Sequence, residues 1–232
     1  MAATTFAKRF RLKEIIEQID FVANGSLFII VFCVAFAAMV TILESSFHMK
    51  IVIQNDSMVP GFAAMLILRE LGAVVTALLL TSRVGAGIAA EVGSMKVTEQ
   101  IDALKLLGIS PVQYLVYPRW VACAFGTVIL TLIANTACIF FSFIVSQAYL
   151  GFTSGLFLTA MTRFVGFKDL GFSLIKAFCF GSVIPLVSCY FGFNCKSGAE
   201  GVGVATTKSV VGSSIAIIAM DFFLSYLFSF FY

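Results

Sequence analysis

Arg69, Glu70, Lys176 and Asp221 each interrupt a stretch that is otherwise almost free of charge. Arg69 and Glu70 fall near the middle of residues 57–82, Lys176 within 168–193 and Asp221 within 209–232. A charge at the centre of an apolar span costs about 2.5–3.5 kcal/mol on insertion scales. Two cations and two anions on three segments therefore imply mutual compensation, and the four are expected to form one coupled network. Such a network either fixes the register of buried helices or makes a polar patch beside a substrate path, and one arrangement can serve both. A proton relay lacks an intramembrane histidine. No nucleophile–base pair accompanies Glu70 or Asp221, so acid–base catalysis is the weaker reading and no catalytic residue is assigned. The six cysteines, Cys33, Cys123, Cys138, Cys179, Cys189 and Cys195, show no C-x-x-C spacing. They read as small hydrophobes, and no metal site is assigned.

The elements that position these charges must be membrane spans. The chain has 232 residues, 60% of them hydrophobic and 12% charged, with a mean hydropathy of +1.04. An ordinary soluble domain is about 45–50% apolar and about 25% charged. This chain cannot hide so much apolar surface in a core of its own. A soluble enzyme, a disordered chain and a fibrous repeat are excluded, and a net charge of +3 is too small to be a footprint for nucleic acid. At about 20 residues per helical span, the length allows at most six spans.

The expected fold is an all-α membrane protein. An N-terminal interfacial amphipathic helix occupies residues 1–20, and a single transmembrane domain occupies 21–232. Five transmembrane helices are expected near 21–43, 57–82, 120–150, 168–193 and 209–232. In the leader, Leu12, Ile15, Ile16 and Ile19 share one helical stripe. Its seven charges and missing apolar core argue against a signal peptide. His48, Lys50, Asn55, Asp56 and Pro60 mark a short loop, residues 83–119 read as a polar loop region, and an apolar loop follows Leu150. With the N-terminus cytoplasmic, ten Lys or Arg lie inside (Lys8, Arg9, Arg11, Lys13, Arg83, Lys96, Lys105, Arg119, Lys196 and Lys208). Three lie outside (Lys50, Arg163 and Lys168). The bias puts the N-terminus in the cytoplasm and the C-terminus outside.

Residues 94–108, SMKVTEQIDALKLLG, read as one short amphipathic helix on the cytoplasmic face. Ser94 is the expected N-cap and Gly108 the residue after the helix, with Pro111 beyond it. Lys96 with Glu99, and Asp102 with Lys105, form i,i+3 pairs of opposite sign. From spacing alone it is either an ordinary loop helix or a docking helix for a cytoplasmic partner. Gly85, Gly87 and Gly93 before it, and Gly198, Gly201 and Gly203 later, are expected in cytoplasmic turns. No G-x-x-x-x-G-K-[ST] occurs, so the chain has no nucleotide engine of its own.

These residues also carry a resemblance. ILRELGAVVTALLLTSRVGAGIAAEVGSMKVTEQIDALKLLGISPVQYLVYPR, residues 67–119, resembles the signature block of the MlaE/YrbE permease family. GAEGVGVATTKSVV at 198–211, followed by Asp221 and Phe222, resembles that family's C-terminal block, and the likeness extends over nearly the whole chain. It implies the permease subunit of an ATP-driven phospholipid transporter in the bacterial inner membrane, contributing to outer-membrane lipid homeostasis. The implied partners are a second permease copy, a cytoplasmic ABC ATPase dimer that carries the ATP and magnesium, a periplasmic MCE protein ring and, in some systems, a STAS-domain subunit. By the resemblance, Lys96, Glu99, Asp102, Lys105 and Leu107 belong to the helix that couples to the ATPase. By the same resemblance the lipid pocket is expected between the permease copies, near spans one, two and five, and Arg69, Glu70, Lys176 and Asp221 belong near that pocket or to its supporting network. The chain departs from the family at Ala73, where Pro commonly follows R-E-L-G, and in a shorter N-terminal region. The competing reading is an ion-coupled secondary transporter built on the same charges, but no internal repeat supports it.

Overall fold

The computed structural model describes residues 2–52, 58–196 and 198–230, with side chains from Ile16 onward except Lys50 and Val52. Every regular element among them is a helix: α1 (Ala2–Val52), α2 (Val59–Val97), α3 (Gln100–Leu106), α4 (Val112–Leu150), α5 (Ser154–Phe164), α6 (Phe167–Phe193) and α7 (Ala199–Ser229). Five of these are long and apolar enough to cross a membrane: α1 over Ile16–Met49, then α2, α4, α6 and α7.

The helices outrun the apolar runs that announce them. At 39 residues each, α2 and α4 exceed the roughly 20 residues that a bilayer core needs. A charge ends a membrane span, but it does not end a helix. Residues 83–97, expected in a loop, therefore continue α2, and residues 199–208 open α7. For the same reason α1 runs without a break from the leader into the first span, and it includes His48. Of the leader's stripe, Ile16 is exposed and Ile19 half-buried, while the side chains of Leu12 and Ile15 lie outside the described residues.

The chain divides into two compact units. The unit formed by Leu27–Thr76 and Ile129–Ala177 has a core of Ile42, Val59, Ala63, Val145 and Phe157. Here α5 replaces the apolar loop expected after Leu150. Gly151, at a φ of +69°, ends α4, and Thr153 supplies an extended cap residue. Phe157, Ala160, Met161 and Phe164 then repeat at i, i+3, i+4 and i+7. Ala160 and Phe164 pack on α2 at Gly61, where a methyl group would strike the Phe164 ring.

The other unit comprises Met1–Ser26, Ala77–Val128 and Phe178–Tyr232. Its buried residues include Ile88, Ala89 and Val92 of α2 and Ala205 of α7. Pro185 sits inside α6, where its ring crowds the carbonyl four residues back at Gly181. Of the six glycines expected in turns, only Gly198 makes one, with a φ of +89°. Gly85, Gly87 and Gly93 lie in α2, and Gly201 and Gly203 in α7. Two of them serve close packing: Gly85 lies against the Ser188 hydroxyl, and Gly201 abuts the Lys196 carbonyl.

Candidate functional site

The first cluster of charges is built by a local widening of α2. Over Ile67–Leu71 the helix takes a π turn, in which the Gly72 N–H bonds the Ile67 carbonyl five residues back. Such turns concentrate at functional positions. This one carries Arg69 and Glu70. Facing it on α6 are Asp169 and Lys176, seven residues apart and hence on one helical face.

Arg69 Nε donates to Asp169 Oδ1 at 2.7 Å. The Asp169 side chain is almost wholly buried, and its second oxygen accepts the Gly166 N–H at 2.9 Å. Asp169 thus stands at the third position of α6 and reaches back to the cap residue, half of a capping box. Lys176 is fully buried, yet its ammonium has three acceptors: Glu70 Oε1 and Oε2 at 2.9 Å and the Arg69 carbonyl at 3.1 Å. Its Nζ also lies 4.9 Å from the centre of the Phe172 ring. The Glu70 side chain remains 46% exposed, so one face of the cluster is open.

Asn135 of α4 completes the packing. It donates to Ser173 of α6 at 3.0 Å, and its carbonyl oxygen occupies the space a side chain on Gly72 would need. Leu68 and Leu170, chain neighbours of Arg69 and Asp169, line an open groove of about 630 Å³ with Leu132, Asn135, Ile139 and Val165. The groove is largely apolar and has the size of a small-molecule site. It lies on α2, α4, α5 and α6.

Arg69, Glu70 and Lys176 therefore gather as expected, but the anion opposite Arg69 is Asp169. Asp221 belongs to the other unit, half-buried on α7 beside Phe222 and Phe223. The spacing of Asp169 and Lys176 was a usable signal, but Asp169 stands at the edge of its span and reads there as an interfacial charge.

The second candidate region follows α2. The single helix expected over 94–108 is broken at Glu99, whose φ of +60° is left-handed. Thr98 turns its hydroxyl back to the Ser94 carbonyl at 2.9 Å, and α2 ends there. Ser94 is thus inside α2 and caps nothing, and α3 is only the two turns Gln100–Leu106. A non-glycine residue in the left-handed region costs about 1–3 kcal/mol and is found preferentially at working sites. Gly108 follows α3 at a φ of +75°, as expected. Lys96 does not pair with Glu99. Across the break it donates to Asp102 Oδ2 at 3.2 Å, while Lys105 donates to Oδ1 at 2.8 Å. The hydrogen bond from Lys105, then that from Lys96, holds the Asp102 carboxyl below its ordinary range. On the same short helix Ile101 is buried, while Leu106 and the following Leu107 are 90% and 75% exposed.

The model of the family described as Permease MlaE matches residues 15–227. The chain belongs to that family. A probable ABC transporter permease protein of Rickettsia conorii is 36% identical over 217 residues, covering 94% of this chain and 83% of its own length. One from Synechocystis is 33% identical over 219 residues, with the same coverage, and one from Porphyra purpurea is 35% identical over 206 residues, covering 88% and 77%.

Two further polar ties in this MlaE-family chain escaped the sequence. Arg83, on the π turn Thr81–Gly85, donates to Ser26 at 2.6 Å and to the Phe21 carbonyl at 3.2 Å, against the bare Cα of Gly25. Arg119 pairs with Glu91 at 2.7 Å. Both join residues far apart in sequence, so no periodicity announces them.

Proposed function

We propose that this chain is the permease subunit of an ATP-driven phospholipid transporter of the bacterial inner membrane. It would work as two copies with a cytoplasmic ABC ATPase dimer that supplies ATP and magnesium, a periplasmic MCE protein and, in some assemblies, a STAS-domain subunit. Membership of the MlaE permease family and relatives named as probable ABC transporter permeases support the transport role. The observation that carries the lipid reading is the cluster on α2 and α6. A zwitterionic or anionic headgroup needs polar partners inside an apolar wall. Glu70 presents a half-exposed carboxylate held by a buried ammonium, and the apolar groove begins at the neighbouring Leu68. Lysine bonded three ways cannot wander, so the open face of Glu70 and Arg69 is preorganised.

The remaining assignments follow from that reading. The short α3, with its exposed leucines and the Lys96–Asp102–Lys105 cluster, is the surface offered to the ATPase. The ten-to-three excess of basic residues supports a cytoplasmic N-terminus and a periplasmic C-terminus. The most apolar window of α7 is only 11% buried within the chain, against at least 33% for every other span, which supports a second copy beside it.

The test is purification of the tagged chain from its native host in a gentle detergent, with mass spectrometry of co-purifying proteins and lipids. An ATPase, an MCE protein and bound phospholipid together are the expected result. A chain that emerges alone and lipid-free, from a preparation that preserves other membrane complexes, overturns the proposal and returns the charges to an ion-path reading.

A further inference from the structure

The ion pair between Arg119 and Glu91 has no part in the headgroup or docking chemistry above. Arg119 Nη2 meets Glu91 Oε1 at 2.7 Å, and Nη1 donates to the Leu115 carbonyl at 3.0 Å. Leu115 belongs to the π turn Val112–Val116 that opens α4. The Arg119 side chain is 5% exposed, while Glu91 is 54% exposed. Arg119 Nε is buried without a hydrogen-bond partner among the described residues. A guanidinium in such a place is an expensive way to fill space. Well-packed apolar residues would hold two helices together at equal or lower cost.

The position of the pair supplies a reason for it. Glu91 stands on the last two turns of α2 and Arg119 on the first turns of α4, so the pair bridges the two legs from which α3 hangs. The Lys96–Asp102 bond ties α3 to the first leg, and the Ile109 N–H bonded to the Leu104 carbonyl at 3.0 Å ties it to the loop leading into the second. Without the bridge, a push on α3 would splay the legs at the left-handed Glu99 and at Gly108. With it, both legs move as one body. Further along α2, Arg83 grips α1, and the Gly85 carbonyl accepts from Ser209 of α7 at 3.4 Å.

We propose that Arg119 and Glu91 are positioning residues that lock the cytoplasmic ends of α2 and α4 into one rigid lever, so that movement of α3 reaches both helices together. The proposal rests on the ATP-driven reading for its use, though the lock itself can be measured without it. Genetically encoded spin labels at the exposed Ser94 and Gln113 report the separation of the legs in the intact complex. In Glu91→Gln the distance distribution is expected to broaden. In the same preparation, reconstituted with its ATPase, the lipid moved per ATP hydrolysed is expected to fall roughly two- to thirtyfold, with hydrolysis retained. A merely structural pair would lower hydrolysis and lipid movement in equal proportion and leave their ratio unchanged. An unchanged distance distribution, or an unchanged ratio, overturns the proposal. Arg119→Lys, which keeps the charge but loses the fork to the Leu115 carbonyl, is read by the same two measurements if Glu91→Gln does not assemble. Native protein that moves no lipid with ATP would sink the transport reading alone, and the label distances would still decide the lock.

Discussion

Two lysine–carboxylate pairs in this protein have nearly the same geometry and opposite settings. Lys176 meets Glu70 at 2.9 Å and Lys105 meets Asp102 at 2.8 Å. The first lysine is wholly buried, and the second is 56% exposed. A buried ammonium has no water to fall back on, and its three donors are met by the two Glu70 oxygens and the Arg69 carbonyl. The pair on α3 is surrounded by solvent and counterions, which screen exposed charges beyond about 10 Å at 0.1 M salt. Distance alone therefore says little about what an ion pair does. The first is fixed by the burial of its lysine, and the second stands open to solvent.

The comparison is sharpest under removal of one partner. Glu70→Gln leaves the Lys176 charge buried with one neutral acceptor in place of a carboxylate. Breaking a buried pair this way costs about 3–5 kcal/mol, whereas replacing both partners by apolar residues of similar volume is often neutral. Thermal unfolding in detergent is expected to drop steeply for Glu70→Gln and to recover in Glu70→Met with Lys176→Met. The recovered double variant should still lose lipid movement if the open carboxylate serves a headgroup. Equal losses in the single and double variants would show that the pair is not a compensated unit. Arg69→Gln belongs to the same experiment with a smaller expected loss, because Asp169 keeps the Gly166 N–H.

The site also depends on a residue with no side chain. Gly72→Ala places a methyl group where the Asn135 carbonyl oxygen now sits. Overpacking of a close-packed interior costs about 1–3 kcal/mol. Asn135→Ala in the same chain should relieve part of it, and this double-mutant cycle, read by unfolding, tests whether α2 and α4 meet there. Strict additivity would mean that they do not. After α3, by contrast, Gly108 has no neighbour within reach of an added methyl group, and only its positive φ resists substitution.

What the sequence revealed divides along similar physical lines. The number of spans was legible because apolar runs of sufficient length have few other uses. Their ends were not, because Arg83, Glu91 and Lys96 ride on a helix that simply leaves the apolar zone. The helix α5 was hidden because its outer face mixes Ser154, Thr159 and Thr162 with Leu156 and Leu158 and carries no charge before Arg163, so its stripe looked like an apolar loop. The π turns at Ile67–Leu71, Thr81–Gly85 and Val112–Val116 have no pattern of their own, since a single wide turn is too short to set a period and these spans are apolar on most faces. Three of the four intramembrane charges gathered as charge compensation requires. Arg69 pairs in addition with Asp169, a partnership that depends on where α6 begins.

The smallest effect is expected at Asp102, and its direction distinguishes the two settings once more. The hydrogen bonds from Lys105 and Lys96 lower the folded pKa of this carboxyl below its ordinary 3.8. A group whose pKa is depressed on folding lends stability above its unfolded value and loses that contribution as pH falls through the folded value. The tie between α2 and α3 is therefore fully made at neutral pH, and it fails only below about pH 4. Added salt weakens it at any pH, because all three side chains are exposed enough to be screened. Asp102→Asn should leave thermal unfolding almost unchanged. Its effect should appear in retention of the cytoplasmic partner, which ought to decline in the variant and, in the native protein, with rising salt. The Lys176 pair, whose ammonium is wholly buried although Glu70 is half-exposed, should show a weaker salt dependence. If retention of the partner is indifferent to both Asp102→Asn and salt, then the α3 cluster is an ordinary solvated surface and not the docking surface proposed for it.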